Sequence, residues 1–135
     1  MRQVKLLRAF FLLPREDRRL LALASLTLAT AWLRLRMHRI DRVRLWATRP
    51  GNGVVSPERL VWALMTVAKR FPSTCLTQAL ALQRMLSINQ YVAELKIGVR
   101  FVKGEFVAHA WLLGNERILI GGFDTESYTI LLDWT

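Results

Sequence analysis

The sequence predicts an α+β domain, with helices first and an antiparallel sheet after them. Two observations carry this. From residue 3 to about residue 88, apolar residues recur at helical spacing between prolines and cap-type residues. From Val92 onward the pattern changes to alternation broken by glycines, which is the strand signature. Helices followed by strands, instead of alternating with them, is the α+β order. Charge divides the chain further. Residues 1–50 hold twelve basic residues against three acidic ones, which is +9 of the formal net charge of +10. The expected organisation is a basic helical N-terminal region, 1–50, followed by a core, 51–135.

Residues 3–13 read as a short amphipathic helix, with Val4, Leu7 and Phe11 on one face. Pro14 ends it or opens the next helix at its first turn, where Glu16 and Asp17 suit a helix N-terminus. That second helix runs through Leu20–Leu33 towards His38. Its leucines and alanines occur nearly all round, so deep packing or a bound partner is expected. The uncharged run from Leu20 to Leu33 is shorter than the roughly 20 residues a membrane span needs. A buried helix, or one lying on a membrane surface, fits better. The N-terminus does not read as a convincing signal peptide, because Arg8 interrupts the apolar stretch and no small-residue cleavage site follows. Leu35 to Trp46 mixes arginine with apolar residues and reads as a further basic helix or an extension of the second.

Thr48-Arg49-Pro50-Gly51-Asn52-Gly53 is the clearest break. Ser56 and Pro57 then mark a helix start, as N-cap and first helical residue, and Phe71-Pro72 closes that helix. Ser73 and Thr74 are both N-cap types, so a helix is expected from Cys75 to about Ser87. Val92–Phe101 and Phe106–Leu113 are strands joined by Lys103-Gly104. Gly114-Asn115 is a hairpin signal, Arg117–Ile120 a third strand and Tyr128–Leu132 a fourth, together an antiparallel meander.

Composition narrows the chemistry. Hydrophobic residues make up 53% of the chain, which argues against disorder. The single cysteine forms no internal disulfide, so a reducing cytoplasm is the default compartment. One cysteine and two histidines without ligand spacing give no metal site, and no glycine-rich motif offers a phosphate or cofactor cradle. The basic excess fits an acidic peptide or protein, or an anionic lipid surface, and equally a solvated face. Nucleic acid would rest on charge alone and is not expected.

Cys75 and His109 are the candidate reacting pair. Unpaired backbone N–H groups at a helix N-terminus favour a thiolate, and Cys75 stands directly after Ser73-Thr74. Its bland alternative is a small core residue. His109 shares a strand face with Val107, Trp111 and Leu113, all apolar, so it needs a hydrogen-bond partner or a task. Its bland alternative is a satisfied core histidine. His38, among arginines, reads as surface. A Cys–His pair is usually completed by a group that orients the imidazole. With a two-residue Gly114-Asn115 turn, His109 falls opposite Ile120, next to Gly121. Asp124 is the nearest carboxylate beyond and is the candidate; an exposed loop acid is the equal alternative.

Thr74-Cys75-Leu76, Ala79-Leu80-Ala81-Leu82, Leu95-Lys96-Ile97-Gly98-Val99, Ala108-His109-Ala110-Trp111 and Ile118-Leu119-Ile120-Gly121-Gly122 together resemble the transglutaminase-like cysteine peptidases of lasso-peptide biosynthesis. The resemblance spans about residues 56–132. It implies a papain/transglutaminase-like core, with Cys75 as nucleophile and His109 as general base. The implied activity is removal of the leader from a precursor peptide. The implied partners are the precursor leader, a small leader-recognition protein and a macrolactam cyclase. An anionic membrane surface is a further candidate partner, and no cofactor is implied. Many members carry an aspartate at the position matching Gly121, so the chain departs from the pattern there. Two other readings use the same residues: a non-catalytic peptide-binding adaptor of the same fold, and an acyl or amide transferase.

Overall fold

The computed structural model of the chain describes residues 11–114, 117–120 and 129–134, with Lys5, Arg8 and Ala9 ahead of them. From Arg15 onward the described residues form four helices and then four strands: α1 (Arg15–Met37), α2 (Ile40–Ala47), α3 (Pro57–Ala68) and α4 (Cys75–Ile88), then β1 (Glu94–Val102), β2 (Glu105–Gly114), β3 (Arg117–Ile120) and β4 (Thr129–Trp134). The α+β class is as expected. Of the short helix expected over 3–13, Lys5, Arg8, Ala9, Phe11 and Leu12 are helical, and most of the rest lies outside the described residues. The two basic helices are separate. His38 adopts an extended conformation, φ −131°, which ends α1 before α2 begins.

Local chemistry sets most boundaries. Pro57 occupies the first turn of α3 and Ser56 the N-cap, although the serine side chain makes no cap bond. The segment 51–53 lies against the C-terminal end of α4. Its Gly51 and Gly53 N–H groups donate to the Ser87 and Ile88 carbonyls at 3.3 and 2.8 Å, two acceptors that the helix itself cannot satisfy. A Cβ on Gly51 would meet the Ile88 oxygen at 2.7 Å, so glycine is required there. Lys103 and Gly104 both have positive φ, as the tight turn between β1 and β2 demands.

The core has two layers. On one side Leu20, Leu21, Ala24, Leu28 and Ala31 of α1 meet Leu60, Ala63 and Leu64 of α3 and the buried side of α4. On the other, Leu95, Ala110 and Leu112 of the sheet pack against α4. Helix α4 is therefore central, in contact with α1, α2, α3, β1 and β2.

The sheet departs from the expected meander. Its order is β3-β2-β1-β4, all antiparallel, so β4 crosses to the far edge and pairs with β1. This is the Greek-key arrangement. The β2–β3 register is also different. Gly114 pairs with Arg117, which moves the turn one residue on, and a bulge then sets Leu113 against Ile118 and Leu112 against Ile120. Ile120 consequently lies opposite Leu112 and not His109. The reason is Leu119. The bulge lets it pack against the core, lying so close over Gly114 that a Cβ there would be 2.7 Å from it.

Candidate active site

The site is built at the N-terminus of α4. Pro72 blocks helix at Phe71, and the chain re-enters helix only after a complete cap. Thr74 is the N-cap, and its Oγ1 accepts the Thr77 N–H at 3.2 Å and meets the Thr77 hydroxyl at 2.8 Å. The Gln78 N–H takes the Thr74 carbonyl at 3.1 Å, the first helical bond. The Gln78 side chain reaches back, its Nε2 donating to Ser73 Oγ at 3.0 Å and to the Ser73 carbonyl at 3.3 Å. The loop before the cysteine is thus tied to the helix by side chains on both sides of the cap.

This bonding leaves two donors over. The Thr77 and Gln78 N–H groups are engaged, while those of Cys75 and Leu76 meet no acceptor among the described residues. Both point out of the positive end of the α4 dipole, beside the Cys75 side chain. An oxygen carrying developing negative charge could be held there.

The Cys75 thiol is half-buried and free. Its sulfur accepts the backbone N–H of Ala110 at 3.3 Å. Ala110 faces α4 and is buried, and His109 precedes it on β2. The Ala110 nitrogen lies about 2.4 Å from the His109 Cα by covalent geometry, so the sulfur is within about 6 Å of that Cα. A histidine side chain can span this distance. The main chain at His109, 34 residues on in sequence, therefore passes beside the Cys75 sulfur.

The His109 ring is stacked on Trp111 at 6.0 Å, with 23° between the planes. Trp111 is only 3% exposed, so the face of the His109 ring turned towards it is shielded from water. Across the ladder His109 faces Gly98, which brings no side chain towards it. Gly121 and Asp124, the positions bearing on a third catalytic group, lie outside the described residues.

Sequence reasoning missed two features of the site. Ala110 holds the sulfur through its main chain, and a backbone donor leaves no trace in residue identity. The Gln78–Ser73 lock did have a signal, a glutamine one turn into the helix beside two cap-type residues.

The model of the transglutaminase-like superfamily matches residues 21–133, most of the chain, and the chain belongs to that superfamily. The match runs from α1 to β4 and includes both Cys75 and His109. The superfamily includes cysteine peptidases and transferases. No curated protein and no solved structure matches the chain.

Proposed function

We propose that this member of the transglutaminase-like superfamily is a cysteine endopeptidase that removes the leader from a lasso-peptide precursor. The observation that carries the reading is the seating of the Cys75 sulfur on the Ala110 N–H, next to His109 and beside two uncommitted N–H donors. The sequence motifs from Thr74 to Gly122 supply the lasso-peptide assignment.

In this mechanism the Cys75 sulfur attacks the carbonyl carbon of the last leader residue. The Cys75 N–H is the first oxyanion donor, and Leu76 N–H is the natural second. His109, which has taken the Cys75 thiol proton, gives it to the departing amine as the C–N bond breaks, and that amine is the new N-terminus of the core peptide. A thioester to the leader remains. His109 then takes a proton from water, the water oxygen attacks the thioester, and leader carboxylate and free thiol are released. The freed amine is the group a macrolactam cyclase needs. Asp124 is assigned to orienting His109, in a chain that carries Gly121 where relatives have an aspartate.

The reading assigns the reaction to the cytoplasm, the default compartment for a chain with one unpaired thiol. The basic N-terminal helices are assigned to docking, on the leader-recognition protein, the cyclase or an anionic membrane surface. If an amine replaced water at the thioester, the same residues would make a transferase, and product masses separate the two.

The test is precursor, recognition protein and chain incubated together and read by mass spectrometry. Leader release should be abolished in Cys75→Ala and in His109→Ala, and reduced in Asp124→Asn. Unimpaired release by Cys75→Ala would exclude the mechanism, and no release by the parent chain would favour the adaptor reading.

A further inference from the structure

A cavity of about 330 Å³ opens between α1 and the loop that leads into Cys75. Ser25, Leu28, Ala29 and Trp32 form one wall, and Phe71, Pro72 and Ser73 the other. We propose that it is a subsite for a large apolar side chain of the peptide substrate, two or three residues from the scissile bond. The choice of a peptide as occupant rests on the peptidase reading above.

Position comes first. Ser73 lines the cavity and is two residues from Cys75, so their Cα atoms are at most about 7.6 Å apart. An extended peptide advances about 3.3 Å per residue, so a substrate over the thiol delivers its second or third side chain to this wall. The cavity suits one side chain, whereas a partner helix would need a longer groove.

Lining chemistry comes next. Five of the seven lining residues are apolar, and both hydroxyls are already engaged. Ser25 Oγ donates to the Leu21 carbonyl at 2.9 Å, and Ser73 Oγ accepts from Gln78 Nε2 at 3.0 Å. A charged side chain would find nothing to replace its water, while an apolar one would lose its own exposed surface and cover more. The rim shows the same demand. Trp32 and Phe71 are 45% and 58% exposed, two aromatic rings left to water at the mouth of one cavity. The walls are also held in place. The Arg36 guanidinium lies 4.3 Å over the Trp32 ring, the Phe71 N–H is bonded to the Val67 carbonyl at 3.2 Å, and Pro72 limits the turn. A subsite fixed before binding loses little entropy when filled.

The test uses electrophiles that alkylate Cys75, so it does not depend on hydrolysis. Acetyl-X-Gly and acetyl-X-Gly-Gly chloromethyl ketones place X second or third on the acyl side, and chloroacetyl-Gly-X and chloroacetyl-Gly-Gly-X amides do the same on the leaving-group side. In each, sulfur displaces chloride and forms a thioether. X is Phe, Leu or Asp, and every rate is divided by that of iodoacetamide with the same variant. In one of the two series Phe and Leu should react about tenfold faster than Asp. Ala29→Trp, which fills the cavity, should erase that preference, and Trp32→Ser, which removes one rim, should weaken it. Equal rates for all X in both series, or a preference that survives both substitutions, would overturn the subsite. A preference in a chain that cleaves no peptide keeps the subsite and removes the peptidase reading. Cleavage without the preference does the reverse.

Discussion

Helices α1 and α4 are both rich in leucine and alanine, and their surroundings differ. Helix α4 buries eight of its fourteen residues, because α1, α2 and α3 lie on one side and β1 and β2 on the other. Helix α1 buries Leu20, Leu21, Ala24, Leu28 and Ala31 along one stripe. It leaves Leu23, Leu26, Leu33 and Met37 at 44–68% exposure on another. It is long and apolar enough to cross a membrane, yet its inner stripe is part of the core. The difference teaches that an all-round apolar sequence says nothing about how many sides have neighbours. It also separates two tasks. The helix enclosed on every side carries the thiol, where position must be kept to fractions of an ångström. The helix with an open side supplies the cavity wall and the exposed arginines.

The comparison breaks first at Leu82, which is fully buried at the centre of α4. Leu82→Ala should cost about 2–5 kcal/mol in urea unfolding. The same truncation at Leu26 on α1 should cost no more than about 0.5 kcal/mol. Similar losses at the two sites would mean that α1's outer stripe is covered in solution. Next comes the cap of α4. Thr74→Ala should lose about 1 kcal/mol, with Thr74→Ser recovering most of it, again by urea titration. A larger loss would make the whole Ser73–Gln78 lock dependent on Thr74. Smaller still is Leu26→Lys, expected within about 0.5 kcal/mol of the parent by thermal melting.

The smallest effect lies where the basic helices meet α4. Arg84 donates to the Trp46 carbonyl at 2.8 Å and, with Arg34, flanks the Trp46 ring. Burial lowers the Arg84 pKa, and the nearby Arg49 and Arg34 charges lower it further. Its charged form is therefore disfavoured by folding. The penalty is present while Arg84 is charged and is relieved only as pH rises past its lowered pKa, and arginines keep their charge through the neutral range. Repulsion among these arginines should accordingly show in salt and not in pH between 6 and 8. Arg49→Gln should stabilise by no more than a few tenths of a kcal/mol at low salt, and by nothing in about 1 M salt. A loss of stability would show that Arg49 makes contacts worth more than its repulsion.

Much of the candidate site was legible in the sequence, and for local reasons. Proline at 72 and cap residues at 73 and 74 stop one helix and start the next wherever the chain lies, so Cys75 at a helix N-terminus needed no tertiary knowledge. Alternation placed His109 on a strand beside Trp111, and Lys103-Gly104 made the turn. Register was less legible. The Gly114-Asn115 signal was one residue early, because the packing of Leu119 over Gly114 outweighs the turn's local preference.

What the sequence determined by itself is therefore whatever neighbours within about five residues decide: helix ends, strand period, the cap around Cys75, and the basic bias of the first fifty residues. Tertiary structure alone decided which stripe of α1 is buried, that β4 returns to the edge of β1, and that the Ala110 N–H holds the Cys75 sulfur. The physical reason is the same in each case. Burial and hydrogen bonding between distant segments depend on which surfaces meet, and main-chain donors are identical at every residue until the fold aims one of them.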